Sequence, residues 1–222
     1  MVDELVVVGA GGFGRETLDV IEAINASTNE AVWKVLGVTD DAPSSVSLER
    51  LAARGYKYLG PSPDVRASRS ATMYVVGVGS PNVKAQIVAD FDAAGWEAPV
   101  LIHPSASIGS MTALAAGSVV CGGVQLSTNT RLGRHVHLNP GSIVGHDAAL
   151  ADFVSVNPGA VVSGDARIGA RVLIGAGAVV LQGLEVGAGA VVGAAACVTR
   201  SVRPHQTVVG VPARSVLRGD VA

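Results

Sequence analysis

The fold of this chain is decided in its second half, where residues 137–180 read HLNPGSIVGHDAALADFVSVNPGAVVSGDARIGARVLIGAGAVV. In this stretch an aliphatic residue recurs at every sixth position, as at Leu138, Val144 and Leu150. An α-helix repeats about every 3.6 residues and an ordinary strand alternates from one residue to the next, so neither produces a period of six. The repeat therefore requires a different architecture.

The six-residue repeat runs without a break from Ile102 to Val198. Such a period indicates a solenoid in which short strands form successive coils and one aliphatic side chain per strand points inward. With three strands per coil, residue i lies beneath residue i+18. A Val- and Gly-rich β-sandwich, the alternative, gives no reason for a strict spacing of six. The repeat positions are Ile102, Ile108, Leu114, Val120, Leu126, Leu132, Leu138, Val144, Leu150, Val156, Val162, Ile168, Ile174, Val180, Val186, Val192 and Val198.

Small residues often follow the aliphatic position of the repeat, as at Gly145, Asn157 and Gly169. Gly and Asn tolerate backbone angles that other residues avoid. We therefore expect the coil to turn a corner directly after each aliphatic residue.

The first part of the chain has a different period. The apolar runs LVVVG, VLGVTD and MYVVGVG alternate with helical patterns near residues 13–24 and 82–94, whereas residues 41–69 give no clear assignment. Such alternation predicts a small Rossmann-like parallel sheet covered by helices, an α/β domain. The predicted organisation is an N-terminal domain of residues 1–98, an all-β parallel β-helix domain of residues 99–203 and a C-terminal segment of residues 204–222.

The bulk composition excludes several classes of function. The 222 residues carry a formal net charge of −2, which gives no basic field for nucleic acid. No apolar run approaches the roughly 20 residues of a membrane span, and the N-terminus has no cationic leader, so a cytoplasmic protein is expected. Cys121 and Cys197 are too few for a disulfide framework or a zinc cluster and are expected to be small buried apolar residues.

Two motifs of the first domain are candidate binding sites. The glycine-rich run Gly9–Gly14 follows a strand and opens a helix, a context in which backbone N–H groups approach a phosphate or a sugar hydroxyl. A purely structural turn is the alternative, and a dinucleotide cofactor would require a larger domain. Asp40 and Asp41 follow the second strand, at the sheet edge where such folds bind ligands, although acidic residues are also common in turns. Gly79, after the third strand, is expected to allow a close approach in the same pocket.

The motifs GAGGFGRE, Asp40-Asp41, VVGVGSPNVK, LIHPSA, HLNPGSIVGHD and VVGVPAR occur in this order along nearly the whole chain. In this order they resemble the hexapeptide-repeat sugar acetyltransferases, which have a left-handed β-helix. The resemblance is to the group of sialic acid O-acetyltransferases and nucleotide-4-amino-sugar N-acetyltransferases. It implies a homotrimer with acetyl-CoA as cosubstrate between neighbouring helices. It also implies that Gly11, Gly12 and Phe13 contact a nucleotide sugar, with Asp40 and Asp41 recognising the base, for which uracil is expected.

His146 is the predicted catalytic base. It follows the inward Val144 by two residues, so its side chain should leave the coil, and Asp147 beside it could select its tautomer. An amine that attacks a thioester must lose a proton, and a neutral imidazole can accept it. In the resembling family this position holds the base, and Asn139 matches a position that holds the sugar or the base. The alternatives are a structural histidine and an asparagine that only turns a corner.

Four further residues are predicted to contact the acyl donor. Backbone amides around Gly164, one coil above His146, are candidate oxyanion donors. The resemblance places Ala176 and Ala194 near pantetheine and adenine, although small residues need no ligand in a β-helix. Ser155 departs from the family, many of whose members have a second histidine there. The segment VVGVPAR near the C-terminus is expected to lie along CoA, to cap the β-helix, or both.

The expected function is acetyl-CoA-dependent N-acetylation of the 4-amino group of a UDP- or GDP-linked sugar, by direct transfer with His146 as general base. O-acetylation of a sugar hydroxyl, as in the sialic acid enzymes, is the second candidate. A zinc lyase of the γ-carbonic-anhydrase type would need three converging histidines, and no HxxxxH pair occurs. We therefore expect no metal. A non-catalytic nucleotide-sugar sensor is the remaining alternative.

Overall fold

The structure, a computed structural model, describes residues 2–70 and 72–216. The chain divides into two compact units, one formed by Met1–Gly79 with Val83–Pro104 and the other by Ser80–Asn82 with Ser105–Ala222. The end of the predicted C-terminal segment, residues 217–222, lies outside the described residues.

The first unit is built on a three-stranded parallel sheet with the order β2-β1-β3. Residues 41–69, which gave no clear assignment from the sequence, contain two short helices. The aromatic core consists of Tyr74 stacked on Phe91, with ring centroids 4.6 Å apart, and Trp96 edge-on to Phe91. The elements are β1 (Asp3–Val8), α1 (Gly12–Ala26), β2 (Trp33–Thr39), α2 (Ser45–Ala53), α3 (Ser62–Ser68), β3 (Met73–Val76), α4 (Pro81–Ala93) and β4 (Leu101–Ile102).

The second unit is a β-helix of short parallel strands in which residue i pairs with residue i+18, as Ile143 does with Val161. Two-residue strands repeat every six residues: β5 (Ser107–Ile108), β6 (Ala113–Leu114), β7 (Val119–Val120), β8 (Gln125–Leu126), β9 (Arg131–Leu132), β10 (His137–Leu138), β11 (Ile143–Val144), β12 (Ala149–Leu150), β13 (Ser155–Val156), β14 (Val161–Val162), β15 (Arg167–Ile168), β16 (Leu173–Ile174), β17 (Val179–Val180), β18 (Glu185–Val186), β19 (Val191–Val192) and β20 (Cys197–Val198). After them, β21 (Thr207–Val209) pairs in antiparallel fashion with β22 (Arg214–Val216).

Three sheets form the walls of the β-helix. The first sheet contains β7, β10, β13, β16 and β19 with the terminal hairpin, the second contains β5, β8, β11, β14, β17 and β20, and the third contains β6, β9, β12, β15 and β18. The predicted aliphatic residue is the second residue of every two-residue strand from β4 to β20. From Val120 onward all of these side chains are buried, so the interior is the predicted stack of Val, Ile and Leu.

The interior also contains a second ladder, which the period alone does not reveal. The residue two positions before the aliphatic one is small and buried in most coils, as at Ala148, Ala160 and Ala166. Each coil is thus filled by alternating large and small side chains, which lets flat strands pack closely around a narrow axis.

The coil turns a corner directly after each aliphatic residue, as expected, but the reason given for the glycines there is wrong. Glycines directly after the aliphatic residue, such as Gly145, do not have positive φ; the left-handed residues come two positions later, as at Gly141 (φ 68°) and Asp147 (φ 61°). Instead, a Cβ at Gly109 would lie 2.6 Å from the backbone carbon of Ser127 in the next coil. Glycine is needed there because the coils approach closely.

Candidate functional site

A hydrogen-bonded pair, His146 and Asp147, projects from the corner that follows the second sheet. The His146 side chain is 49% exposed and that of Asp147 is 45% exposed, so both point away from the aliphatic interior. His146 Nδ1 lies 2.7 Å from Asp147 Oδ2. Because an ionised carboxylate can only accept, this contact favours the tautomer with a proton on Nδ1 and a lone pair on Nε2. The imidazole is thereby set up to accept a proton at Nε2.

Asp147 is held ionised by two donors. Its Oδ2 contacts His146, and its Oδ1 accepts a hydrogen bond of 3.1 Å from Asn129 Nδ2, one coil below. These hydrogen bonds, with that of His146 the larger, lower the pKa of Asp147 below its usual value. The carboxylate is therefore charged throughout the neutral range, as a partner for an imidazole that gains a proton must be.

Gly164 lies one coil above His146, directly against its ring. A Cβ added at Gly164 would lie 2.6 Å from His146 Nε2 and 2.7 Å from its Cε1. The glycine is therefore required for the ring to occupy this position. Of the neighbouring amides, Ser163 N–H donates to Val180 O and Asp165 N–H donates to His146 O. These two are used between coils, which leaves Gly164 N–H as the candidate oxyanion donor. Gly164 itself is buried against the His146 ring.

A groove runs beside the His146–Asp147 pair, along the edge of the third sheet. It has a volume of about 590 Å³ and is lined by Met111, Asn129, Arg131, Asp147, Ala149 and Arg167. Arg131 on β9 and Arg167 on β15 extend from the two strands that flank β12 in the third sheet, and both are exposed. The groove thus combines the charged pair with two guanidinium groups that can hold an anion.

The other residues predicted for this site lie elsewhere on the β-helix. Asn139 is at the corner after the first sheet, where it is only 6% exposed, and its Nδ2 donates to Asn157 Oδ1 at 3.0 Å. Its buried Oδ1 has no hydrogen-bond partner within residues 2–70 and 72–216. Ala176 and Ala194 are exposed on that same corner, one coil apart. The second sheet therefore separates these residues from His146.

Ser155 lies in the first sheet, between His137 and Leu173 in the ladder. Its side chain is fully buried. The structure does not bring it to the corner of His146. The contact of Ser155 with an acyl donor thus stays a prediction.

The outer face of the second sheet is an apolar strip between the two corners. Ile143 is 41% exposed, and Val161, Val179 and Cys197 are partly exposed above it. One edge of this strip is formed by the corner of His146 and the other by the corner of Ala176. Such a flat aliphatic face differs from the polar outer face of the third sheet, where Arg131, Arg167 and Glu185 project outward.

The glycine-rich loop of the first unit has two kinds of glycine. Gly9, at φ +113°, approaches Gly77 so closely that a Cβ would lie 2.8 Å from the Gly77 oxygen, and Gly14 packs against Gly9. These glycines are structural. Gly11 and Gly12 are exposed, and a Cβ added at either would meet nothing within 4 Å. Gly11 is the N-cap residue of α1, and no side chain bonds the first amides of the helix from this position. The predicted contact residues thus lie at an open helix N-terminus, with the half-buried Phe13 beside them.

A cavity of about 340 Å³ lies at the carboxyl ends of the strands of the first unit. It contains both predicted carboxylates, but neither the glycine loop beyond Gly9 nor Gly79. Its lining consists of Val8, Gly9, Asp40, Asp41, Ala42, Ser62, Val78, Val83, Gln86, Ile87 and Asp90. Gly79 follows Val78 directly and has open space around it.

The two carboxylates in this cavity have different roles. Asp40 accepts from Ala10 N–H at 2.7 Å through Oδ2 and from Ala42 N–H at 2.9 Å through Oδ1, so it holds the glycine-rich loop in place. Asp41 accepts from Ser62 N–H at 2.7 Å through Oδ1. Loss of hydration, followed by the charges of Asp40 and Asp41, raises the pKa of the adjacent Tyr58. The cavity therefore has a negative field, and Asp41 is the carboxylate with the freer oxygen.

Sequence reasoning missed several polar residues of these sites, including Arg131 and Arg167 in the groove. Gln86 and Asp90 line the cavity from α4, together with Val83 and Ile87. Their spacing of three, four and seven residues marks one face of a helix and could have identified them. Asn129 was missed as the partner of Asp147, although the 18-residue coil length places it directly below.

The remaining predictions concern metals, membranes and the C-terminal segment. Within the described parts of the chain, no three His, Cys, Asp or Glu side chains are grouped as metal ligands would be. None of the described helices is both long and apolar enough to cross a bilayer. The VVGVPAR segment, residues 208–214, forms the end of β21, the turn of the β21–β22 hairpin and the first residue of β22. Arg200, Arg203 and Arg214 are all exposed.

Comparison with known proteins gives matches to both units. A family model described as the PglD N-terminal domain matches residues 4–91. A GDP-perosamine N-acetyltransferase of Escherichia coli O157:H7 is 30% identical over 147 residues, which are 66% of this chain and 64% of that protein. The chain thus covers slightly less than two thirds of this curated relative.

Solved structures match over almost the full chain. The acetyltransferase domain of PglB from Neisseria gonorrhoeae FA1090, in complex with acetyl coenzyme A, is 28% identical with a TM-score of 0.82, covering 97% of this chain and 100% of that one. PerB from Caulobacter crescentus, in complex with CoA and GDP-perosamine, has a TM-score of 0.85 at 23% identity and covers 98% and 99%. The predicted fold, a Rossmann-like domain followed by a left-handed β-helix, is confirmed.

Proposed function

Since the predicted resemblance to hexapeptide-repeat sugar acetyltransferases is confirmed by these matches, we propose that the protein is an acetyl-CoA-dependent N-acetyltransferase. Its acceptor is the 4-amino group of a nucleotide-linked sugar. The observation that supports this most strongly is the His146–Asp147 pair, whose 2.7 Å contact leaves Nε2 as the proton acceptor. Such a group is what an attacking amine requires.

The proposed reaction is a direct transfer. His146 Nε2 takes the proton that the amine loses as its nitrogen attacks the thioester carbonyl carbon. The new C–N bond forms, the C–S bond breaks, and the proton passes from His146 to the CoA sulfur. Asp147 remains ionised and stabilises the imidazolium that exists between these two proton transfers. The products are the N-acetylated sugar nucleotide and CoA with a free thiol.

The cavity of the first unit fits the base of the nucleotide better than its diphosphate. Asp40 and Asp41 give it a negative field, which repels phosphates but attracts N–H donors, whereas Asp90 is paired with Arg66 at 3.5 Å. The Watson–Crick edge of guanine offers adjacent N–H donors to a carboxylate such as Asp41, whereas uracil offers a single N–H. The relative from Escherichia coli is named for a GDP-sugar. We therefore favour GDP over the uracil nucleotide expected from the sequence, with the phosphates at the open amides of Gly11 and Gly12.

The acyl donor is proposed to be acetyl-CoA, which is bound in the PglB domain structure. The aliphatic strip of Ile143, Val161 and Val179 is suited to contact a second copy of the chain, and a head-to-tail contact of this kind closes into a homotrimer. Within such a trimer, the His146 corner of one subunit would face the Ala176 and Ala194 corner of the next across the bound acetyl-CoA. Arg131 and Arg167 remain available for anionic groups beside the base.

The proposal is tested by following CoA thiol release with purified protein, acetyl-CoA and a panel of GDP- and UDP-linked 4-amino sugars. We expect turnover with a GDP-linked amino sugar and much weaker turnover with its UDP counterpart. Silence with every amino sugar, together with turnover of a sugar hydroxyl, would establish the O-acetyltransferase alternative, since the same base serves either nucleophile. Binding of the nucleotide sugars without CoA release in any combination would indicate a sensor.

A further inference from the structure

Asn129 is connected to the proposed base through Asp147. It lies 18 residues before Asp147 on the same corner ladder, and its Nδ2 donates to Asp147 Oδ1 at 3.1 Å. The other carboxylate oxygen faces His146 Nδ1. The three side chains thus form a continuous series from amide to carboxylate to imidazole.

The amide of Asn129 is not required to form the corner itself. Asn129 has φ 58°, but equivalent corner positions with similar φ are occupied by Gly141, Arg171 and Met111. Any of these side chains, or none, is compatible with the turn. What distinguishes Asn129 is its side-chain N–H donor, which reaches the carboxylate of the next coil.

The carboxylate of Asp147 needs an anchor because it is at the surface. With 45% of its side chain exposed, it can rotate toward water and lose its contact with His146. A donor at Oδ1 fixes the plane of the carboxylate, and a fixed plane keeps Oδ2 directed at Nδ1. Gly164 sits against the opposite part of the ring, near Nε2, so the imidazole is restrained from both ends.

We propose that Asn129 is a positioning residue for the proton transfer: by holding Asp147, it keeps His146 in the tautomer whose Nε2 is free to accept. This inference rests on the proposed function for its effect on rate. The effect of Asn129 on the His146 tautomer is independent of the proposed function, because the tautomer can be measured in the protein without substrates.

The first test is the Asn129→Gly variant, which removes the amide and retains a residue suited to the left-handed corner. The imidazole ¹⁵N shifts of His146 are recorded for the wild type and the variant. We expect the wild type to hold the Nδ1-protonated form and Asn129→Gly to show a mixture of tautomers. Arg171→Gly removes a side chain from an equivalent corner with φ 58° and should leave the His146 signals unchanged. An unchanged tautomer in Asn129→Gly would overturn the proposal.

The second test is a double-mutant cycle on kcat. Asn129→Gly is expected to lower kcat about tenfold, the effect of losing one hydrogen bond to a charged group, with KM nearly unchanged. In an Asp147→Ala background the same substitution should cost nothing further, because Asn129 acts only through Asp147. Additive losses would contradict this and indicate a structural or direct role.

A third variant keeps the proposal testable if Asn129→Gly does not fold. Asn129→Asp keeps the shape and tolerates the corner, but it sets a second carboxylate against Asp147. We expect it to fold normally and to disturb the tautomer as Asn129→Gly does. If the tautomer responds but no variant or wild type transfers acetyl groups, the positioning role stands and the proposed function fails; if transfer occurs but the tautomer does not respond, the reverse holds.

Discussion

The two units of the molecule assemble their candidate sites in different ways. In the first unit, the cavity is lined by residues as far apart in sequence as Val8, Asp41 and Asp90, brought together where parallel strands end. In the β-helix, Asn129 meets Asp147 and His146 meets Gly164 because each coil sets a residue above the one 18 positions before it. The first site depends on the topology of a sheet and the second on the phase of a repeat.

This difference explains where each site can tolerate change. The inner ladders of the β-helix are uniform, so chemistry is confined to side chains that leave the coil at its corners. The first unit has no such division, since Asp40 both lines the cavity and holds the loop through Ala10 N–H. A substitution in the β-helix should therefore affect either stability or activity, whereas a substitution in the first unit should affect both.

The largest expected effect is that of His146→Ala. Removing the proposed base should lower kcat about a thousandfold while the affinity for the nucleotide sugar stays near that of the wild type. Steady-state kinetics and calorimetric binding measure the two quantities. Thr128→Ala, which changes the same outer ladder one coil below, is the matched control and should retain activity. A His146→Ala protein with near-normal kcat would show that proton transfer is carried out elsewhere.

The second prediction compares two neighbours on one strand of the third sheet. Ile168 points inward and is 2% exposed, whereas Arg167 points outward and is exposed. Ile168→Ala should lower the free energy of unfolding by about 3 kcal/mol, because it leaves a cavity in the ladder. Arg167→Ala should change it by less than about 0.5 kcal/mol. Equal losses in chemical denaturation would contradict the inward and outward assignment.

The third prediction concerns the space above His146. In Gly164→Ala the new methyl group would overlap Nε2, so the ring must turn away from its position against the coil. We expect kcat to fall about a hundredfold with little change in thermal stability. Gly183→Asn, at a left-handed corner with open surroundings, serves as the control. Full activity in Gly164→Ala would mean that the observed ring position is not the working one.

The fourth and smallest effect is expected in the first unit. Asp41→Asn keeps an oxygen for Ser62 N–H but weakens the other oxygen as an acceptor for a base. KM for the nucleotide sugar should rise about tenfold with kcat nearly constant. Asp64→Asn changes an exposed carboxylate outside the cavity lining and should leave KM unchanged. A change in kcat rather than KM would place Asp41 in a different role.

Much of the architecture could be predicted from the sequence, because a period of six admits few structures. The period could not explain the corner glycines, because they are required by close contact with the next coil and not by the local backbone conformation. The 18-residue coil length does place Asn129 directly below Asp147, but it does not show that the two side chains are hydrogen-bonded. His146 was identifiable because its phase departs from the aliphatic ladder, whereas the burial of Ser155 and Asn139 depends on packing that no spacing reveals.

The first unit was less predictable for a similar reason. The strand-end position of Asp40 and Asp41 followed from the βαβ pattern, but their different hydrogen bonds depend on which backbone amides lie opposite. Gln86 and Asp90 could have been identified from the sequence, because their spacing places them on one face of α4. The glycine loop was predicted as one motif, yet Gly9 and Gly14 are needed for packing while only Gly11 and Gly12 remain open.

The most direct test of the proposed function is to identify the bond formed when the protein, acetyl-CoA and a GDP-linked 4-amino sugar are incubated together. Mass spectrometry of the sugar nucleotide, before and after treatment with alkaline hydroxylamine, distinguishes an amide from an ester. The proposal predicts a gain of one acetyl group that survives the treatment. A sugar nucleotide that gains no acetyl group, or one whose acetyl group is removed by hydroxylamine, would contradict N-acetylation.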